Sequence, residues 1–345
     1  MKVHLFNLLC FSFLGFVVTS CSPTNNYEKR IGSGGVILGG EAKFSGKAFQ
    51  SILPSSINDL SSAQAAINVL ECLTQINSNG TVSTALAESF LVDSSGQIHT
   101  FTLRKGIKFH DDACFPSGEG REMKAEDVKY SLLQLCSKNP LSHAYSNTIP
   151  SLIEGAEDFC SGKTNELTGV QVTDDYTVVI KTNVPTKALP YLLSGIQFAV
   201  IPREAVERYG EKAAIGTGPF MIKRTDNGYT LVRHTNYYGK DALGNQLPYL
   251  DEVTITIPES KESEIDQVIL GTLDVVTGLN QQAANQIVQN HLKKFEKNGN
   301  LTMESSEDIA STDQFMVRSN NLKNFKVNSD GTVYWAQVQK LRSEN

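Results

Sequence analysis

Short strand patterns and short helix patterns alternate along this chain from about residue 36 to residue 280, and no type of element runs long enough to dominate. Phe101-Thr102-Leu103-Arg104 alternates like a half-buried strand and is followed by a Lys105-Gly106 turn. Ala125, Val128, Leu132 and Leu135 then recur with the helical period, behind Glu126 and Asp127, acids that suit a helix N-terminus. Val170, Val172 and Tyr176 to Ile180 predict a hairpin turning at Thr173-Asp174-Asp175. Pro202 to Tyr209 and Glu262 to Leu270 read as helices. Phe220 to Ile222, Tyr229 to Arg233, Val253 to Ile257 and Leu273 to Val276 read as strands. A helix is also expected from about Ser62, where Ala63, Ala66, Ile67, Leu70 and Leu73 share a face. Such mixing specifies α/β layers and excludes a helical bundle or a β-sandwich. At 345 residues the chain is long enough for two or three cores.

The N-terminus sets the compartment. Leu5 to Val18 is apolar, the start carries Lys2 and His4, and the run ends in Val18-Thr19-Ser20-Cys21. This is the layout of a secretory signal covering residues 1–20. A cysteine directly after Thr-Ser resembles the bacterial lipobox, which implies lipidation of Cys21 and a mature protein tethered outside the cytoplasmic membrane by its acyl chains. After Val18 no apolar run approaches the ~20 residues of a spanning helix. The Ser-, Asn- and Gly-rich residues 21–35 read as a flexible spacer. A net charge of −6 gives no electrostatic support to a nucleic-acid partner. Cys72, Cys114, Cys136 and Cys160 are an even set in an exported chain, so one or two disulfides are expected, in a pairing that spacing leaves open. Their long spacings argue against zinc.

No catalytic constellation stands out. The nucleophile elbow, the H-E-x-x-H helix, the P-loop and the dinucleotide fingerprint are all absent. An exported hydrolase is therefore disfavoured, and no cofactor or metal is expected. His110-Asp111-Asp112 is better explained as a polar loop than as a metal cluster. Asp174-Asp175 is a turn, and Glu126-Asp127 a helix start. Gly216-Thr217-Gly218-Pro219 offers either an anion cradle or, the stronger reading, a tight backbone path. A large exported α/β chain without catalytic residues fits a binding protein that closes two lobes on a ligand.

Several segments together resemble the family 5 extracellular solute-binding proteins, the oligopeptide-, dipeptide- and nickel-binding components of ABC importers. They are Leu86-Ala-Glu-Ser-Phe90, Thr100-Phe-Thr-Leu-Arg-Lys-Gly-Ile-Lys-Phe-His-Asp111 and Lys124-Ala-Glu-Asp-Val-Lys-Tyr-Ser-Leu132. Gly216-Thr-Gly-Pro-Phe220 with Leu231-Val-Arg-His-Thr-Asn-Tyr-Tyr-Gly239, and Gln267-Val-Ile-Leu-Gly-Thr-Leu-Asp-Val275, follow in family order. Leu70-Glu-Cys-Leu73 stands at the family's "FEGL" segment, and Leu53-Pro54 stands at "LDP" without its aspartate. The resemblance covers roughly residues 36–285. It implies a type II periplasmic-binding fold with two lobes and an inserted domain. Lobe I would comprise 36–68 and 197–280, and the inserted domain 69–196. Residues 281–345 would be an incomplete lobe II, from a truncated or disrupted product or by design, with Phe315-Met-Val317 as one of its core strands and Val338 to Arg342 loosely similar to a following helix. It implies a lipid-anchored receptor delivering oligopeptides to ABC permease subunits; the alternative is a decayed, non-transporting surface lipoprotein. It also places ligand contacts on Asn58, Asp59 and Leu60 in the first loop, on Tyr145 in the inserted domain, and on Thr277 and Gly278 at a strand edge.

Overall fold

The computed structural model describes residues 29–77, 79–136, 148–296, 299–305, 315–327 and 332–341. The described chain opens with a small antiparallel pair, β1 (Arg30–Ile31) and β2 (Ile37–Leu38). Between them Gly34 and Gly35 hold φ of 71° and 74°, the left-handed region that glycine enters without steric cost. Asn245 clamps this turn: its Oδ1 accepts from Ser33 N at 2.7 Å and its Nδ2 donates to Ser33 O at 3.0 Å. Residues 30–35, expected as part of a flexible spacer, are therefore an ordered turn, because a buried asparagine 212 residues away satisfies its backbone.

Strand β3 (Glu41–Ser45) starts the main sheet, and helix α1 (Leu60–Ala66) follows it. The helix stops before Leu70 and Leu73, which the apolar period had included. Asn68 O accepts from Phe220 N and Val69 O from Gly218 N, so these carbonyls leave the helix to hold a distant segment.

From Leu73 the chain builds a second core. A hairpin, β4 (Thr74–Ile76) with β5 (Val82–Thr84), leads into β6 (Ala87–Val92) and β7 (Ile98–Leu103). Helix α2 (Ala125–Gln134) and the short α3 (Thr148–Leu152) and α4 (Ala156–Cys160) precede the hairpin β8 (Val170–Asp174) and β9 (Thr177–Lys181). The four strands order as β6-β7-β9-β8, all antiparallel. Phe101 and Leu103 of β7, Val178 and Ile180 of β9, and Val128 and Leu132 of α2 close over one another. At the start of α2, Asp127 accepts from Lys124 N at 2.8 Å and takes two Arg121 nitrogens at 2.7 and 2.8 Å, so the acid caps the helix and neutralises a guanidinium together. A disulfide joins Cys136 to Cys160, while Cys72 and Cys114 are free.

After α5 (Leu189–Leu192) the chain returns to the first core through α6 (Arg203–Tyr209) and the hairpin β10 (Phe220–Thr225) and β11 (Gly228–Arg233). Then come β12 (Glu252–Thr256), α7 (Lys261–Leu270), β13 (Val275–Leu279), α8 (Gln281–Asn290), α9 (Leu292–Phe295), β14 (Leu301–Ser305) and β15 (Phe315–Ser319). One seven-stranded sheet results, in the order β10-β11-β12-β3-β13-β15-β14. Its three central strands, β12, β3 and β13, are parallel. A last small pair, β16 (Leu322–Lys323) and β17 (Gln339–Lys340), packs beside it.

This arrangement corrects the expectation for residues 281–345. Phe315–Ser319 is a strand, but it pairs with β13 in the sheet that contains β3, not in a second lobe. Leu322, Phe325, Val333, Trp335 and Val338 belong to the same core as Ala42, Phe44 and Val253. Trp335, fully buried, stands edge-on to Phe44 at 5.4 Å. The reason is register: β13 pairs with β3 at one residue pair only, and β15 takes up its other edge. Residues 339 and 340 are strand rather than the expected helix. The two large cores divide near residues 72–73 and 198–199.

Candidate ligand cleft

In an open α/β sheet, a crevice forms outside the carboxyl ends of the strands, where neighbouring connections diverge. Strand β3 is that point here, flanked by β12 on one side and β13 on the other. It pairs with β13 only at Phe44 and Val275. Past this pair β3 ends at Ser45, and β13 shifts register against β15 between Val276 and Leu279. Gly278, with φ 68°, makes the bend. The separating strand ends enclose a cavity of about 260 Å³, lined by Ser45, Lys47, Leu60, Lys261, Glu264 and Thr277, among others.

Leu60 and Thr277, expected as ligand contacts from opposite ends of lobe I, line this one cavity. Leu60 is 54% exposed, unusual for a leucine in the first turn of a helix. Asp59 is instead the N-cap of α1: its carboxylate accepts from Ser62 N at 2.9 Å and from Ser62 Oγ at 2.7 Å. Asn58 is exposed and Gly278 supplies backbone only; neither lines the cavity. Tyr145 and Cys21 lie outside the described residues. Sequence reasoning did not single out Ser45, Lys261 or Glu264. Glu264 is almost fully buried; Ser45 Oγ donates to its Oε1 and Lys261 Nζ to its Oε2 at 2.7 Å. The i, i+3 spacing of Lys261 and Glu264 was readable; the approach of Ser45 was not.

A second polar cluster sits where the two cores meet. Glu71 Oε2 accepts from Thr217 Oγ1 at 2.8 Å, and Oε1 accepts from Tyr237 OH at 2.8 Å and Tyr238 OH at 3.1 Å. Burial pushes its carboxyl up to about 7, against the opposing pull of these three donors and of Arg104. Beside it lies a cavity of about 590 Å³, lined by Thr74, Gln75, Gln197 and Tyr334 as well as Glu71. Three of the resembling segments thus meet on one carboxylate.

The glycines next to Thr217 serve close approach. A Cβ on Gly216 would fall 2.3 Å from Val69 O, and one on Gly218 2.7 Å from Val69 C and O. Their amides are occupied: Gly218 N donates to Val69 O and Gly216 N to His110 Nδ1. This is the tight backbone path, not an anion cradle. His110 Nε2 donates to Gly218 O at 2.9 Å, and burial, with His234 edge-on at 4.8 Å, holds its imidazole down to about 3. His110 is therefore a neutral structural tie. Among the described residues no group of three His, Cys, Asp or Glu is placed to hold a metal ion.

Residues 81–326 match the family model described as bacterial extracellular solute-binding proteins, family 5. The chain belongs to that family. A dipeptide-binding protein of Lactococcus lactis is 25% identical over 280 residues, spanning 76% of this chain and 47% of that protein. Among solved structures, the periplasmic binding protein DppA of Helicobacter pylori, in complex with peptide STSA, superposes with a TM-score of 0.62 at 22% identity. It covers 78% of this chain and 51% of that one. Listeria monocytogenes OppA bound to peptide gives 0.61 at 20% identity, covering 80% and 53%. The fold is accordingly the type II periplasmic-binding fold of the peptide-binding proteins. The chain spans about half the length of these relatives. Family 5 is a family of binding proteins, not of enzymes, and its members act outside the cytoplasm. No helix among the described residues is long and apolar enough to cross a membrane.

Proposed function

We propose that this chain contributes lobe I and the inserted domain of the solute receptor of an ABC importer, held at a membrane by lipid on Cys21 and binding oligopeptides. The observation that carries this reading is the cavity at the ends of β3 and β13, which Leu60 and Thr277 line together. Thr277 and Gly278 have no partner strand in the ladder, which leaves a short strand edge beside the cavity that Thr277 lines, with the Thr277 carbonyl accepting from Lys261 Nζ. An extended peptide laid along it would be held mainly through its main chain, by strand addition, and its side chains would be tolerated in wet pockets.

Size sets the expected strength. A cavity of about 260 Å³ lies below the roughly 300–1,000 Å³ that enclose most of a small ligand. Binding of three- to five-residue peptides is expected to be about millimolar or weaker, because exposed contacts scarcely offset the freedom the ligand loses. Calorimetry with a mixed peptide pool measures it. Micromolar binding by a monodisperse monomer would move the cleft elsewhere.

The anchor is tested separately. Intact mass of the mature protein should carry a diacylglycerol increment on Cys21, and Cys21→Ser should remove it. An unprocessed protein starting at Met1 in the cytoplasm would defeat the assignment.

A further inference from the structure

We infer that Glu264, at the floor of this cavity, is a subsite for a primary ammonium group, and that Lys261 fills it in the free protein in place of the ligand. The inference rests on the peptide-cleft reading above. Glu264 exposes 7% of its side chain, whereas Lys261 exposes 44%. The carboxylate is thus built into the floor, and the ammonium arrives from the solvent side. Lys261 Nζ makes two bonds of 2.7 Å, to Glu264 Oε2 and to Thr277 O. Thr277 O is thus taken by a lysine instead of a neighbouring strand.

The position of Lys261 is not explained by the helix it starts. It is the first residue of α7, directly after the Ser260 N-cap, whose Oγ accepts from Ser263 N at 3.1 Å. A cation at that end opposes the helix dipole. What keeps it there is the pair of acceptors in the cavity. A buried carboxylate without a counter-charge is unfavourable, so Glu264 favours an ammonium on its Oε2. Exchange of one ammonium for another conserves the ion pair: the ligand's nitrogen takes Glu264 Oε2 and Thr277 O, and Lys261 turns into water. Lys47 is the other charged side chain lining the cavity and stands exposed at its rim, where it favours the opposite charge.

The test uses the mature full chain and its Lys261→Met variant, titrated by NMR with n-butylammonium, n-butanol, trileucine, N-acetyl-trileucine and N-acetyl-Leu-Lys-Leu. Removing the internal ammonium should tighten n-butylammonium and trileucine binding by about tenfold and leave n-butanol and N-acetyl-trileucine unchanged. A gain for trileucine alone among the peptides assigns the subsite to an amino terminus. A gain for N-acetyl-Leu-Lys-Leu assigns it to a lysine side chain. Adding Glu264→Gln to Lys261→Met should abolish the gain. If the methionine variant folds poorly, Lys261→Gln repeats the comparison. Binding of N-acetyl-trileucine with no ammonium preference in any variant overturns the subsite and leaves the cleft standing. Equal gains for n-butanol and n-butylammonium also overturn it. Failure of every probe to bind every variant overturns both.

Discussion

Glu71 is the carboxyl on which the meeting of the two cores turns. Its acid form is favoured in the folded chain, since burial raises it from 4.5 to about 7. Below pH 4.5 the group is protonated whether folded or not, and it makes no difference to stability. Between about 4.5 and 7 the unfolded chain releases the proton and the folded chain keeps it, so stability falls as pH rises, by roughly 3 kcal/mol in total. Above pH 7 the penalty is constant. Glu71→Gln keeps an acceptor for Tyr237 and Tyr238 and cannot ionise. The melting temperature of the variant relative to wild type should therefore climb between pH 5 and pH 7.5 and level off on either side. A difference that stays constant across this range would show that Glu71 does not titrate there.

At the scale of elements, the joint between α1 and β10 depends on missing side chains. Gly218→Ala would drive a Cβ to 2.7 Å of the Val69 backbone, which cannot turn aside as a side chain can. It should destabilise by about 1–3 kcal/mol, the usual range for overpacking. Gly106→Ala meets nothing within 4 Å and bears only the strain of its φ of 76°, about 1 kcal/mol. Urea unfolding of both variants separates the two causes, and equal losses would remove the close-approach argument. The same joint marks what was readable beforehand. The hairpin of β8 and β9 and the helix α2 follow from local periods, since each buries one face along a single continuous segment. The end of α1 was not readable, because its carbonyls are claimed by residues near 220. Leu60 and Thr277, expected from the resemblance, share the lining of one cavity; Ser45 and Glu264 meet across 219 residues, a distance no periodicity reports. An acid ahead of a helix also signals a cap, and Asp59, expected as a ligand contact, caps α1. The sheet membership of β15 was hidden for the same reason as Ser45: strand pairing is set by a partner far along the chain.

The whole molecule has two large cores joined by two crossings of the chain, with separate reporters in each. The chain's single tryptophan, Trp335, is fully buried against Phe44 and Phe325 in the core of the seven-stranded sheet. The Cys136–Cys160 disulfide belongs wholly to the other core, tying the end of α2 to the end of α4 across a sequence separation of 24. Closing a loop of that length restrains the unfolded chain by about 3 kcal/mol. Cys136→Ser should therefore lower the stability of the inserted region by that order and leave the sheet core nearly untouched. Thermal unfolding followed by tryptophan fluorescence reads the sheet, and far-UV circular dichroism reads both regions. The expected result is a dichroism transition that begins at lower temperature in the variant while the fluorescence midpoint stays where it was. The physical reason is that the fully buried hydrophobic clusters are separate: Cys114 and Ile215 pack against both, and the rest of the link is polar, through Glu71, Thr217, two tyrosine hydroxyls and the Arg121–Glu204 pair. If both signals shift together by the same amount, the joint is strong enough to make the two cores one cooperative unit.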